Sequence, residues 1–396
     1  MREIRVGVVG IGNMGSAHAR TVFQNKIKGM TLEAVCDIDG SRLEWAHHKF
    51  GEQVRCFSDY REMICADVLD AVIIATPHPA HPKMAQEAFG RGLHVLTEKP
   101  AGVAVSEVRS LNQAAKESGR VFAIMYNQRT NPLYRTLKEY LDEGKLGGVK
   151  RFVWIINNWY RTQAYYDSGD WRATWNGEGG GVLLNQCPHN LDLWQWMMGM
   201  PVQLRAFCRT AQYHRIQVED DVTIYAEYEN GANACFITST GEYPGTNRLE
   251  ISGTLGKAVI EDGKLKTYLL EQDERDICMH SSQAMPQEKV NYDEIVQDRP
   301  EQGHPEILQN FADAILEGKK LIAPGEEGIR SLLLSNAAYL SQWTDDWVTF
   351  PMEEERFDRL LRERQEQERI CRKTPEKPQI SQPDGIYEKR WSVKWT

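Results

Sequence analysis

Three glycines, Gly10, Gly12 and Gly15, stand as GxGxxG in the run Gly10-Ile11-Gly12-Asn13-Met14-Gly15. The first glycine of such a loop permits a tight turn, and the second lets backbone amides approach a pyrophosphate. The third lets the following helix pack closely. The pattern is weak alone; here an apolar run, Ile4–Val9, precedes it and an amphipathic stretch follows. That context gives a helix N-terminus whose N–H groups and partial positive charge suit a phosphate, with Asn13 and Met14 in its first turn. Asp37 closes the next apolar run, about 20 residues beyond Gly15. A carboxylate there accepts hydrogen bonds from a ribose diol and repels a 2′-phosphate, so the expected cofactor is NAD in preference to NADP. The competing reading is a helix-capping turn followed by an unrelated acidic loop.

Two further segments follow apolar runs, where ligands of open α/β sheets collect. In Ala75-Thr76-Pro77-His78-Pro79-Ala80-His81, Thr76 and Pro77 are placed to line a cofactor; His78 and His81 are more ordinary as turn and capping residues than as metal ligands. Thr97-Glu98-Lys99-Pro100 would normally be a solvated turn. Beyond a buried strand, with Pro100 holding Lys99 out of the helical region, the ammonium can point at whatever occupies the cleft. Tyr126-Asn127-Gln128-Arg129 follows the last strand of this part, which makes Asn127 and Arg129 candidate cofactor or substrate contacts. His189 can take a proton near neutrality, histidine having an ordinary pKa of about 6.5; on its own it reads rather as a packed histidine near a helix start. The stretch 158–175 carries Trp159, Tyr160, Arg161, Tyr165, Trp171, Arg172 and Trp175, planar polar groups and aromatic faces of the kind that recognise polyols, although each aromatic alone is also ordinary core material. Asp192 fits a substrate contact or a helix surface.

The elements that must position these residues are legible in part. Strands are expected at Ile4–Val9, Leu32–Cys36, Ala71–Ala75, His94–Leu96 and Val121–Met125, with helices at 14–25, 41–49, 79–89 and 105–118 between them. Short apolar runs alternating with helical patterns predict a doubly wound parallel sheet covered on both faces. Beyond residue 126 a helix from Pro132 to Leu141 leads to a strand at Val149–Asn158. Strand patterns then dominate at 202–211, 221–229, 232–240, 247–252, 257–261 and 265–270, with a hairpin turn at Glu229-Asn230-Gly231. If 182–198 is one helix, Asn185 and His189 share a face at i and i+4; Pro188 would kink it or begin a new one. Residues 276–303 read as a surface loop, and helices are expected at 305–317 and 326–343. From Met352 the chain is charge-dense and then proline-rich, a surface arm or a segment draped over a neighbouring subunit.

Composition narrows the function. The chain has 396 residues, 47 basic against 56 acidic, for a net charge of −9. No global positive field awaits a polyanion, which argues against nucleic acid as the main partner. No window approaches the roughly 20 apolar residues of a membrane span. The N-terminal MREIRVGVVGIG reads as strand and turn rather than as an export leader, so a cytoplasmic protein is expected. The eight cysteines form no CxxC pair and no zinc-like Cys/His spacing, so reduced thiols and no metal are expected.

GIGNMG, ATPHPAH, EKP and the segment GGGVLLNQCPHNLD at 179–192, in this order and spacing, resemble the Gfo/Idh/MocA family, named for glucose–fructose oxidoreductase and inositol dehydrogenase. The resemblance runs over roughly residues 3–345 and implies an α/β chain. Its N-terminal Rossmann domain would be a doubly wound parallel sheet, and its C-terminal α/β domain would carry a large open, mostly antiparallel sheet often used for oligomer contacts. The domains are expected at 1–125 and 126–345, with an extension over 346–396. Most members oxidise or reduce a sugar, cyclitol or related hydroxyl with NAD(P). By the resemblance Lys99 is the EKP lysine and His189 handles the substrate proton. Many members carry aspartate where this chain has Asn185, which can orient an imidazole but brings no charge; asparagine occurs in some sugar-oxidising branches, including ones acting at C3 of glycosides. The expected catalytic set is Lys99, His189 and Asn185. The cofactor set is Gly10, Gly12, Asn13, Met14, Gly15, Asp37, Thr76, Pro77, His81, Glu98, Lys99 and Asn127. The substrate set is Lys99, Arg129, Trp159, Tyr160, Arg161, Trp171, Arg172, Asn185 and His189. The leading expectation is an NAD-dependent dehydrogenase of a ring secondary hydroxyl, C3 favoured, of a sugar or glycoside, acting as a homo-oligomer, dimer or tetramer. The alternatives are an inositol dehydrogenase, a glycosidase using transient oxidation, and a non-catalytic NAD-binding regulator.

Overall fold

The computed structural model describes residues 3–297 and 303–371. They fold into two compact units, neither of them a single stretch of chain. One takes the described residues of Met1–Thr130, Gly177–Gly179 and Gln302–Leu332; the other takes those of Asn131–Asn176, Gly180–Glu301 and Leu333–Thr396. The expected division at 125 and 345 therefore needs correction: residues near 303–332 return to the first unit.

In the first unit six parallel strands form one sheet: β1 (Ile4–Val9), β2 (Met30–Cys36), β3 (Arg55–Phe57), β4 (Ala71–Ile74), β5 (His94–Thr97) and β6 (Phe122–Ile124). Their order is β3-β2-β1-β4-β5-β6. β4 is buried along its whole length, as strands covered on both faces must be, and this is why they read as continuous apolar runs. The order reverses between β1 and β4, so the C-terminal ends of those strands open the crevice in which ligands of such sheets bind. Register places Val9 beside Cys36 on one side and Ile74 on the other, which brings the chain just beyond all three strands together. β3 and the Tyr60–Cys65 helix after it have no counterpart among the sequence expectations. The returning segment closes the far edge, where Ile124 donates its N–H to Ala323 O at 3.1 Å.

The second unit is built on nine strands in the order β14-β13-β12-β11-β7-β10-β9-β8-β15. They are β7 (Val149–Ile156), β8 (Gln203–Thr210), β9 (Glu219–Glu227), β10 (Asn233–Ser239), β11 (Asn247–Gly253), β12 (Gly256–Glu261), β13 (Lys264–Leu270), β14 (Val290–Val296) and β15 (Val348–Thr349). β7 and β10 pair in parallel; the other pairs are antiparallel. Alternation along the strands turns one apolar face inward, where Trp194 of the Pro188–Met198 helix stacks on Phe152 and Phe236 with ring centroids 5.6 and 5.8 Å apart. The hairpin expected at Glu229-Asn230-Gly231 joins β9 to β10, with Gly231 at φ +81°.

Two expectations differ, and one left open is decided. Within 276–303 there is structure, the Glu274–His280 helix and the edge strand β14, because pairing with β13 orders a segment whose own pattern is polar. Residues 182–198 are not one helix: Val182–Asn185 ends and Pro188 begins Pro188–Met198. The charged extension carries a helix, Glu354–Cys371, belonging to the second unit; the proline-rich stretch beyond it lies outside the described residues. Among the described residues no helix is long and apolar enough to cross a membrane.

Candidate active site

The nucleotide half lies in the first unit. Gly10 adopts φ +80°, and its N–H bonds Cys36 O at 2.8 Å as the chain turns off β1. A Cβ on Gly15 would sit 1.8 Å from Gly10 O, so the Asn13–Phe23 helix can start this close to the strand only with glycine there. A Cβ on Gly12 would meet nothing within 4 Å, which is the open approach a phosphate needs. The helix begins after Gly12 with no side-chain cap, leaving its first amides to a ligand. Asp37, half-buried at the end of β2, accepts from Ile11 N–H at 2.8 Å and Asp39 N–H at 2.9 Å and so is fixed beside the loop. Asn13 Oδ1 and Asn127 Oδ1 are buried with no hydrogen-bond partner among the described residues. An open glycine, uncapped amides, a fixed carboxylate and two orphaned amide oxygens fit a dinucleotide.

Thr76 and Pro77 follow β4 at the same end of the sheet, Thr76 half-buried and Pro77 exposed. His81, expected to touch the cofactor, is fully buried; its two ring nitrogens lie 2.8 Å from Pro100 O and 2.7 Å from Thr76 O. It fastens the Thr76 loop to the Lys99–Pro100 loop, and burial lowers its pKa. Glu98 is likewise turned inward, with Oε1 2.7 Å from His18 Nε2. Burial would push this carboxyl up, but the hydrogen bond and charge of His18, with His304 and Lys99, bring it down to about 2. His304 lies 5.7 Å from His18 ring to ring; burial and His18 lower its pKa to about 4. Lys99 stands half-buried at the edge of this group, its N–H 3.2 Å from Glu98 Oε2. Arg129, expected at the substrate, is 1% exposed; its guanidinium bonds Glu327 at 2.6 Å and Ile322 O at 3.2 Å, both in the first unit.

The second unit gathers Arg161, Arg172 and Asn185 of the expected substrate residues around Tyr165. Its phenol oxygen accepts from Arg172 Nη1 at 2.9 Å, Asn185 Nδ2 at 3.1 Å and Gln186 Nε2 at 3.4 Å. The Arg161 guanidinium lies 5.0 Å from the Tyr165 ring, and that of Arg172 lies 4.6 Å from both Tyr165 and Trp171. Arg161 also donates to Trp159 O at 3.0 Å, and the buried Trp159 Nε1 has no hydrogen-bond partner among the described residues. His189, half-buried, is the second residue of the Pro188–Met198 helix, four positions beyond Asn185 across the helix break. Tyr160 stands apart, exposed and against Tyr243. Trp175 packs on Tyr339 and Trp343 in the core, and Asp192 is fully buried, off the helix surface.

The oxidoreductase family with an NAD-binding Rossmann fold matches residues 4–126, and the GFO/IDH/MocA C-terminal domain matches residues 134–259. The chain belongs to the Gfo/Idh/MocA family. YrbE of Bacillus subtilis, described as an uncharacterized oxidoreductase, is 24% identical over 86% of this chain and 94% of its own. Inositol 2-dehydrogenase of Salmonella typhimurium is 31% identical, but over 36% of this chain and 43% of its own. The WlbA dehydrogenase of Bordetella pertussis, solved in complex with NADH and UDP-GlcNAcA, is 25% identical with a TM-score of 0.75, covering 89% of this chain and 100% of that one.

Residue type and spacing did not reveal His18, His304, Glu219 or Asp220. Lone histidines inside helices carry no spacing signal. The acidic run Glu219-Asp220-Asp221 opening an apolar strand was the one available sign.

Proposed function

We propose that this Gfo/Idh/MocA member is an NAD-dependent dehydrogenase that oxidises a ring secondary hydroxyl, C3 favoured, of a sugar or glycoside. The observation that carries the reading is the cluster of Tyr165, Arg172, Asn185 and Trp171, polar donors set around aromatic faces in the manner that binds a polyol ring. Bound NAD supplies the hydride acceptor. His189 takes the hydroxyl proton, and Asn185, four positions before it, brings no charge to the site. Lys99 supplies positive potential for the developing alkoxide. Glu98, held anionic by His18, fixes the backbone from which the Lys99 side chain projects. The inositol 2-dehydrogenase relatives favour a cyclitol as the second reading.

The test is absorbance of reduced nicotinamide with NAD and a panel of hexoses, glycosides, anhydrosugars and inositols. A signal with one class is expected, falling about 100- to 10,000-fold in Lys99→Ala and in His189→Ala while NAD still binds. Unchanged turnover in Lys99→Ala would overturn the assignment of the site.

A further inference from the structure

Glu219 and Asp220 are neighbours at the start of β9, so their side chains leave opposite faces of the sheet. Both are buried, 1% and 0% exposed. Buried carboxylates are costly, and apolar side chains would hold a strand start at least as well. We propose that these two residues are the positioning pair of the substrate half: Glu219 holds the turn that carries Asn185 and leads to His189, and Asp220 holds the loop that carries Arg161.

Glu219 acts on the glycine run. Its Oε1 accepts from Gly181 N–H at 3.0 Å, Leu183 N–H at 3.0 Å and Tyr339 O–H at 2.7 Å, and Oε2 accepts from Gly181 N–H at 2.9 Å. The backbone comes so close that a Cβ on Gly181 would lie 1.9 Å from Glu219 O, and one on Gly180 2.1 Å from the Tyr339 hydroxyl. The turn so held is the one on which Asn185 sits, for Asn185 N–H bonds Gly181 O at 3.0 Å. Glu219 also lines a cavity of about 450 Å³ with Trp175, Cys208, Gln217, Tyr339 and Arg364.

Asp220 reaches Arg161 by two routes. Its Oδ1 accepts from Gln212 N–H at 2.8 Å, and its Oδ2 from Tyr213 N–H at 2.9 Å, His214 N–H at 3.0 Å and His214 Nδ1 at 2.8 Å. The far nitrogen of that imidazole, Nε2, lies 2.9 Å from Arg161 O. Along the backbone, Asp220 O accepts from Thr240 N–H at 3.0 Å, and Thr240 O accepts from Arg161 N–H at 2.9 Å. Tyr166 completes the frame, with its hydroxyl 2.7 Å from Thr240 Oγ1 and its ring edge-on to His214.

The inference rests on the reading of this unit as the substrate half, and two measurements separate its fate from that reading. The first is amide hydrogen exchange of the full chain with NAD, which needs no turnover, at pH 8, above the value of about 7 to which burial raises the Glu219 carboxyl. Glu219→Gln and the milder Tyr339→Phe are expected to speed exchange at Gly181 and Leu183. Asp220→Asn and the milder His214→Gln are expected to speed it at Gln212–His214 and Arg161. The second is kinetic: displaced by about 1 Å, Asn185 and His189 would lose about 100-fold in kcat. Glu219→Gln should therefore fall mainly in kcat, and Asp220→Asn should rise mainly in KM, with NAD affinity unchanged in both. Exchange unaltered at those amides, or kcat and KM both within twofold of the parent, overturns the pair. A parent inactive on every sugar fails the dehydrogenase reading, and exchange alone then decides this one.

Discussion

Burial acts in opposite senses on Glu98 and His304, raising an acid and lowering a base, yet both end below their ordinary values, and His18 helps to lower each. Burial alone would raise the Glu98 carboxyl, yet His18, His304 and Lys99 bring it to about 2, whereas burial and His18 together take His304 down to about 4. The consequence for stability has a definite sign. Between its ordinary value of 6.5 and about 4, the unfolded chain protonates His304 and the folded chain refuses the proton. The contribution of His304 to stability is therefore complete above pH 6.5 and is lost as pH falls toward 4. Glu98 stays ionised in the folded chain through that whole window. Thermal midpoints from pH 7 to 4.5 should fall more steeply for the parent than for His304→Gln, by roughly 5–10 °C over the range. Parallel curves for the two proteins would mean that the fold does not hold this imidazole neutral.

At the scale of elements, the break between the Val182–Asn185 and Pro188–Met198 helices sets how Asn185 and His189 stand to each other. Pro188 has no N–H to give Leu184, so the first helix cannot run into the second, and proline suits the first position of the new one. Pro188→Ala restores that donor and permits a continuous helix. The expected result is about a 10-fold or greater loss in kcat, with NAD affinity unchanged and the thermal midpoint nearly so; full activity would show that the break does not set the spacing. The sequence carries both readings of this segment because proline at N1 and proline at a kink look alike until the turn before it is seen. The parallel sheet was legible because β4 and its neighbours are buried on both faces and must be apolar throughout. β3 and β14 were not, since β3 is a three-residue edge and β14 is largely exposed, ordered by its partner rather than by its own pattern. In the site, the phosphate loop and Asp37 are local in sequence and could be read. Residue type cannot say whether a side chain faces a ligand or the interior, and the side chains of His81 and Arg129 bond within the first unit. The Glu219 clamp joins residues 36 and 38 apart, beyond any spacing rule.

At the scale of the molecule, the chain finishes each unit with a segment that arrives late. The Glu354–Cys371 helix does this for the second unit. Phe357 is fully buried, stacked 5.4 Å from Trp343, and the Arg364 guanidinium lies 4.0 Å from the same indole. One turn on, Glu368 is 5% exposed and accepts from Trp175 N–H at 2.8 Å and Asn176 N–H at 2.9 Å. Those two residues end the loop that begins near Trp159 and carries the Tyr165 cluster, so the charged extension anchors that loop on its own chain. Removing the carboxylate leaves two amides without acceptors, at a cost of about 1–3 kcal/mol. Glu368→Ala should therefore lower the thermal midpoint by several degrees, roughly 2–4 °C per kcal/mol. It should also raise KM for the sugar more than it lowers kcat. NAD titration should be unchanged, because every residue expected at the cofactor belongs to the first unit. A midpoint equal to the parent's would mean that Glu368 does not anchor the loop; NAD affinity falling in step with KM would mean that the helix steadies both units rather than the loop alone.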